Sequence, residues 1–241
     1  MSGLTIVLLP GLDGTGELFD DFVGSLVAKG GSAIEPLVVR YPTDASLGYT
    51  ELDAWVRAAL PQDERYLILG ESFSGPLAVT IAATAPRGLV GLVLCCSFVT
   101  TPLPSLASLG AVLDLVPFAS MPHGLAAPLL LGRFATRTRR RAFVRAISRL
   151  SSAAMRRRVR EVLAVDVSSS MAEVRVPTLY LRARHDRLVS LRSFERIASI
   201  RPDVRVAEFD APHLLLQSVP DEAADAVLCF AREAVAGRES S

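Results

Sequence analysis

Gly70-Glu71-Ser72-Phe73-Ser74-Gly75 sets a serine among small residues, directly after the apolar run Tyr66 to Leu69 and before the small-residue segment Pro76 to Ala85. A serine hydroxyl is a poor nucleophile at neutral pH, and it reacts when a sharp strand-to-helix turn exposes it and a base takes its proton. Such a turn needs small neighbours, because the serine's own backbone is strained and the helix must approach closely. The stretch departs from G-x-S-x-G at its fifth position, where Ser74 replaces glycine and Gly75 comes one place later. Serine is small enough for the same turn.

A base for Ser72 must come from three histidines. His213, in Asp210-Ala211-Pro212-His213, follows the last strand-like run and precedes the last helical pattern, which puts it at the carboxyl edge of a sheet. His123 lies in a proline-rich stretch and His185 stands beside Asp186; both read as surface or packing histidines. A base of this kind needs a carboxylate to fix its tautomer. Asp186 supplies one at the end of the run that begins at Thr178. A lone aspartate at such a place is usually a turn or cap residue. Ser72, Asp186 and His213, in that chain order and each at the end of a different strand, match the order of a nucleophile-acid-base triad.

The charge that develops on an attacked carbonyl oxygen needs preorganised donors. Leu9-Pro10-Gly11-Leu12-Asp13-Gly14-Thr15-Gly16 follows the first strand, and its glycines free backbone N–H groups to turn toward the site. The expected oxyanion donors are the amides of Leu12 and Phe73, the residue after the nucleophile. Phosphate binding by this loop fits badly, since the spacing is neither G-x-G-x-x-G nor that of a P-loop.

The elements that must hold these residues are legible as short β-branched runs alternating with helical patterns. Leu4 to Leu9, Ile34 to Arg40, Tyr66 to Leu69, Leu89 to Cys96, Thr178 to Arg182 and Val204 to Phe209 read as parallel strands buried on both faces. A helical pattern of Leu18, Phe19, Phe22, Val23, Leu26 and Val27 ends at Gly30-Gly31, and a last helix runs from about Asp221 to Ala236. The fold class is therefore α/β, a doubly wound, mostly parallel sheet with ligands at the strands' carboxyl ends. The alternation stops once, so residues 1–97 and 173–241 read as the core and 98–172 as an inserted helical cap.

With 241 residues, half of them hydrophobic, and a formal charge of +1, a large core is affordable and disordered or fibrous classes are excluded. Neither a nucleic-acid partner nor a metal or organic cofactor is called for. Cys95 and Cys96 are neighbours among three cysteines, which gives no disulfide framework and suits a cytoplasmic location. The amino terminus reads as a first strand rather than a signal peptide. No charge occurs between Arg87 and Asp114, but Pro102 and Pro104 break that run, so no membrane span is expected.

Taken together, these residues resemble the α/β-hydrolase superfamily over nearly the whole chain. Members often carry His-Gly where this sequence has Pro10-Gly11, and often a hairpin before the first parallel strand, for which there is no room before Leu4. The resemblance implies a serine carboxylesterase working through an acyl-enzyme. Thioesterase and acyltransferase activities use the same triad and stay open, as does a non-catalytic binding protein on the same scaffold.

The cap adds a charge signal. Residues 98–132 carry five prolines and almost no charge, whereas eleven arginines lie between 133 and 160. Arg137, Arg141, Arg145 and Arg149 recur every four residues along one helix face, an arrangement that costs a few tenths of a kcal/mol per pair unless an anion offsets it. Either the ribbon merely solvates a surface, or the apolar half covers an acyl chain and the basic half meets a negative group, a phosphate carrier such as coenzyme A or an acidic acyl carrier protein. In size and triad layout the chain is similar to small capped esterases such as the pimeloyl-acyl-carrier-protein methyl ester esterases, which implies an acyl carrier protein as a partner presenting the acyl ester.

Overall fold

The computed structural model describes residues 3–105, 124 and 126–239. His123 and most of the uncharged stretch after Pro104 lie outside the described residues. Six strands, β1 (Leu4–Leu9), β2 (Ile34–Val38), β3 (Tyr66–Glu71), β4 (Leu89–Cys95), β5 (Thr178–Ala183) and β6 (Arg205–Phe209), make one sheet in the order β2-β1-β3-β4-β5-β6. Every pairing is parallel. The helices are α1 (Asp20–Gly30), α2 (Tyr49–Ala59), α3 (Ser74–Ala83), α4 (Ala127–Leu131), α5 (Arg137–Ser148), α6 (Ser152–Ala164), α7 (Ser168–Glu173), α8 (Leu191–Ile200), α9 (Leu215–Ser218) and α10 (Pro220–Glu239).

Alternation along the strands builds two apolar layers. β1 sends Ile6 and Leu8 toward Phe22 of α1 and Val227 and Phe230 of α10, and sends Val7 and Leu9 to the layer that holds Val56 of α2, Leu77 of α3 and Ile197 of α8. Burial on both faces holds for β1, β3 and β4, and for β5 apart from the half-buried Arg182. It fails at β2 and β6, which have a strand on one side only: Glu35 and Arg205 are exposed, and Val206 is 49 % exposed. The winding direction changes between β1 and β3, so the loops after these two strands open from one crevice, where doubly wound sheets bind ligands.

Between β4 and β5 the described residues form helices. The two chain passages at the base of this segment pair with each other: Thr100 bridges Asp166 in antiparallel fashion, Thr101 N–H donates to Val165 O (3.0 Å), and Val167 N–H donates to Val99 O (2.8 Å). Thr136 and Ser151 cap α5 and α6 by accepting from the amides of Arg139 and Ala154, both at 3.2 Å. Leu131, Phe143, Ile147, Leu150 and Ala154 form a separate apolar cluster that closes on Leu214, just past His213. α7 instead packs against α3 and α8 and buries Met171 in the sheet's own core, so the 172/173 boundary falls within a helix of the core layer. No helix among the described residues is long and apolar enough to cross a membrane.

Gly75, in the first turn of α3, is required by the close approach of that helix to the end of β4. A Cβ there would meet Ser97 Oγ at 1.7 Å and Ser97 Cβ at 2.5 Å. Gly75→Ala is therefore expected to lower stability by about 1–3 kcal/mol, read as a lower urea midpoint with an unchanged slope. An unshifted midpoint would show that α3 can move away from β4 freely.

Candidate active site

The turn between β3 and α3 holds Ser72 at φ 49°, a left-handed conformation that L-residues with a Cβ avoid. Its neighbours fix it there. Ser72 N–H donates to Cys95 O (2.8 Å), while Ser72 O accepts from Gly75 N–H (3.1 Å) and from Ser97 Oγ–H (2.6 Å). Gly70 has no room for a side chain, since a Cβ would lie 2.6 Å from Ser74 O. Ser74, at the departure from the five-residue motif, is fully buried and donates to Pro10 O while sharing a 2.7 Å hydrogen bond with Tyr41 Oη. The hydroxyl that replaces a glycine thus ties the Ser72 turn to the loop after β1.

His213, on the loop after β6, brings Nε2 to 2.9 Å from Ser72 Oγ and Nδ1 to 2.7 Å from Asp186 Oδ2. Asp186, after β5, accepts at Oδ1 from Leu188 N–H and Val189 N–H, each at 2.8 Å. With a carboxylate facing Nδ1, the proton of the neutral ring belongs on Nδ1, and Nε2 is left to accept from the serine. Burial alone would lower the basicity of His213; the charge and hydrogen bond of Asp186, helped by Glu71, overcome it and raise the pKa above the ordinary 6.5. Cys96, Asp186 and His213 are the one group among the described residues whose ligand atoms lie within 4.8 Å of one another, but His213 and Asp186 are already committed to this hydrogen-bonded chain. His185 sits apart, in an exposed contact with Asp210 (2.6 Å) and Arg133 (2.9 Å).

The loop after β1 and the start of α3 bring Leu12 and Phe73 to the wall of one cavity with Ser72 and His213. Neither the Leu12 nor the Phe73 amide donates a backbone hydrogen bond among the described residues. The cavity encloses about 350 Å³, and most of its other wall residues are apolar: Leu18, Phe98, Leu130, Phe143, Ile147, Met155, Val159, Val162 and Leu214 among them. Besides His213, its ionisable wall residues among those described are Asp13 and Glu71.

Three features were missed in the sequence. Glu71, the second residue of the motif, is buried beside Ser72, accepts from Gln217 Nε2 (3.0 Å) and from the Gly11 backbone, and has its pKa pushed up to about 7, chiefly by burial. Asp13 is also buried, with its pKa raised by burial despite hydrogen bonds from Thr15 N–H (2.9 Å) and Thr15 Oγ1–H (2.5 Å). Arg158, counted with the basic half of the expected cap, is fully buried against the loop after β1 and is no part of a charged surface. The signal for it was its place on the α6 stripe with Met155 and Val162.

The arginine ribbon divides. Arg145 Nε and Arg149 Nε lie 3.6 and 3.0 Å from the carboxylate of Glu17, so an intramolecular anion offsets half of it. Arg137 and Arg141, which no carboxylate is shown to meet among the described residues, line an exposed concave face of α5 with Arg140 and Arg145. Arg139, off the ribbon, donates to the carbonyls of Phe134, Gln217 and Ser218 and fastens α5 to α9.

The family profile described as "Alpha/beta hydrolase family" matches residues 6–226. Sequence comparison with curated proteins finds no significant match. Among solved structures, a thermophilic esterase from Thermogutta terrifontis is similar at a TM-score of 0.80 and 16% identity, covering 97% of this chain and 91% of that one. An esterase from Exiguobacterium antarcticum reaches 0.79 at 15% identity, over 96% and 92% of the two chains. A hydrolase from Pseudomonas aeruginosa reaches 0.75 at 20% identity, over 95% and 89%.

Glu71 makes stability depend on pH. Its folded pKa of about 7 stands above the ordinary 4.5, so the folded chain holds a proton that the unfolded chain has lost. The associated stability is complete below pH 4.5 and is lost as the pH rises through about 7. His213, also raised, works in the same direction. Glu71→Gln is expected to match wild type at pH 4 and to exceed it at pH 8, by on the order of 3 kcal/mol, in urea unfolding. Equal pH slopes for both proteins would show that Glu71 is ionised throughout.

Proposed function

Because the chain belongs to the alpha/beta hydrolase family, we propose that it hydrolyses carboxylic esters through an acyl-enzyme on Ser72. The observation that carries this reading is the continuous chain Ser72 Oγ, His213 Nε2, His213 Nδ1, Asp186 Oδ2, with steps of 2.9 and 2.7 Å at the wall of an apolar cavity. His213 Nε2 takes the hydroxyl proton as Oγ bonds to the ester carbonyl carbon. The carbonyl oxygen becomes an oxyanion held by the Leu12 and Phe73 amides. The protonated ring then gives its proton to the departing alkoxide, leaving an acyl-serine. Water repeats the sequence, losing a proton to His213 and releasing the acid. Asp186 holds the ring in the required tautomer throughout.

The cavity favours an uncharged, apolar acyl group. No cationic side chain other than His213 lines it among the described residues, and an acyl carboxylate would face Asp13 and Glu71. Residues between β4 and β5 supply most of the apolar wall, so this segment serves as the cap. Any charged carrier belongs outside, where Arg137 and Arg141 stand on the exposed face of α5. In this reading an acyl carrier protein would dock there and present a neutral ester end.

Ser72→Ala is expected to abolish fluorophosphonate labelling and to lower kcat for 4-nitrophenyl butyrate by about 10⁶-fold. Asp186→Asn should cost roughly 10⁴-fold and move the acid limb of kcat/KM to lower pH, since the group that raises His213 is gone. Labelling of wild type no stronger than of Ser72→Ala would defeat the reading. For the carrier, Arg137→Ala/Arg141→Ala should raise KM for acyl-carrier esters and spare 4-nitrophenyl butyrate; equal effects on both would make the pair an ordinary surface.

A further inference from the structure

We infer that Arg158, from α6 of the cap, is the positioning residue for the oxyanion hole. The inference rests on the ester-hydrolase reading above. Its guanidinium is wholly buried, and Nη1–H donates to Leu12 O (2.8 Å) while Nη2–H donates to Pro42 O (2.8 Å). The same group lies 5.9 Å from the centroid of the Phe73 ring and 5.6 Å from that of Tyr41. One side chain from the cap therefore reaches both residues assigned above as oxyanion donors, Leu12 through its carbonyl and Phe73 through its ring.

The loop is shaped to receive it. Gly14 has φ 72°, and a Cβ there would lie 2.3 Å from Nη1, so the guanidinium packs directly on the turn Gly11–Gly14. Arg158 also offsets part of the cost of burying Asp13 in that turn. A buried charge carries a desolvation cost of several kcal/mol, and an apolar side chain of similar volume would fill the same space without it. The guanidinium's distinctive contribution is geometric: two directed bonds to two carbonyls that a hydrocarbon cannot hold. A displaced Leu12 amide cannot meet the oxyanion, while the cavity that binds the acyl chain is unaltered. The effect therefore falls on the transition state.

α6 also carries Met155, Val159 and Val162 on the cavity wall. The helix that contacts the acyl chain is thus the helix that holds the oxyanion loop.

The test compares wild type, Arg158→Lys and Arg158→Met on 4-nitrophenyl butyrate, with inhibition by an alkyl trifluoromethyl ketone, which forms an oxyanion on the serine. Both variants are expected to lose kcat by about 10- to 100-fold, less than outright loss of a donor costs. KM should stay within about threefold, ketone affinity should fall in step with kcat, and lysine should retain more activity than methionine. A purely structural arginine would lower the melting temperature and leave kcat and ketone affinity unchanged well below it. Should the methionine variant not fold, the lysine variant, which keeps charge and stem, carries the test. Folded variants with kcat within twofold of wild type overturn the inference. Wild type inert to both the ester and a fluorophosphonate overturns the underlying reading instead.

Discussion

The left-handed backbone of Ser72 is the constraint on which the remaining geometry rests. At φ 49° the residue occupies a conformation that costs an L-amino acid on the order of 1–2 kcal/mol. It persists because its surroundings over-determine it. Its amide is bound by the carbonyl of Cys95, and its carbonyl by the Ser97 hydroxyl and the Gly75 amide. Two of these partners belong to the end of β4, so the direction of the hydroxyl is set by a neighbouring strand as much as by its own. His213 and Asp186 can then arrive from the loops after β6 and β5 and find the oxygen where their own strands end.

Around that turn the fold gathers three carboxyl groups, Asp13, Glu71 and Asp186, in a space from which water is largely excluded. Each has a distinct counterpart. Asp186 is matched by His213 and two amides, Asp13 by Thr15 and the nearby Arg158, and Glu71 by Gln217 and Gly11. The arrangement makes His213 more basic, yet on the proposed mechanism a fixed negative charge beside Ser72 would oppose an oxyanion. Burial, by favouring the protonated form of Glu71, and Arg158, by adding a positive charge, both temper that opposition.

Strand runs and the Ser72, Asp186, His213 order were legible in the sequence because both depend on local pattern: β-branched runs between turns, and polar residues at their carboxyl ends. Edge exposure of β2 and β6 was not, since it depends on which strands lack a second neighbour, and Val206 looks no less buried than Val93 when read in line. Glu71 and Arg158 escaped for a related reason. A glutamate inside a motif and an arginine in the run Arg156-Arg157-Arg158 are solvated by default, and only the tertiary arrangement shows that these two are not. The arginine ribbon was visible as a period of four, but its partner Glu17 lies more than a hundred residues away in the chain.

The pairing of Thr100 with Asp166, flanked by hydrogen bonds from Thr101 to Val165 and from Val167 to Val99, closes the segment between β4 and β5 at its base. Chain ends already held side by side make the entropy of whatever lies between them grow only slowly with its length. The sheet is thus insulated from the size of its insert. Replacement of everything above this clasp, with α7 left in the core, is a natural unit of exchange: on the proposed reading, one contiguous piece carries the acyl preference while Ser72, His213 and Asp186 stay on the loops that follow their strands. Arg158 sets the condition on such a graft, because the transplanted piece must bring its own group to seat the loop after β1.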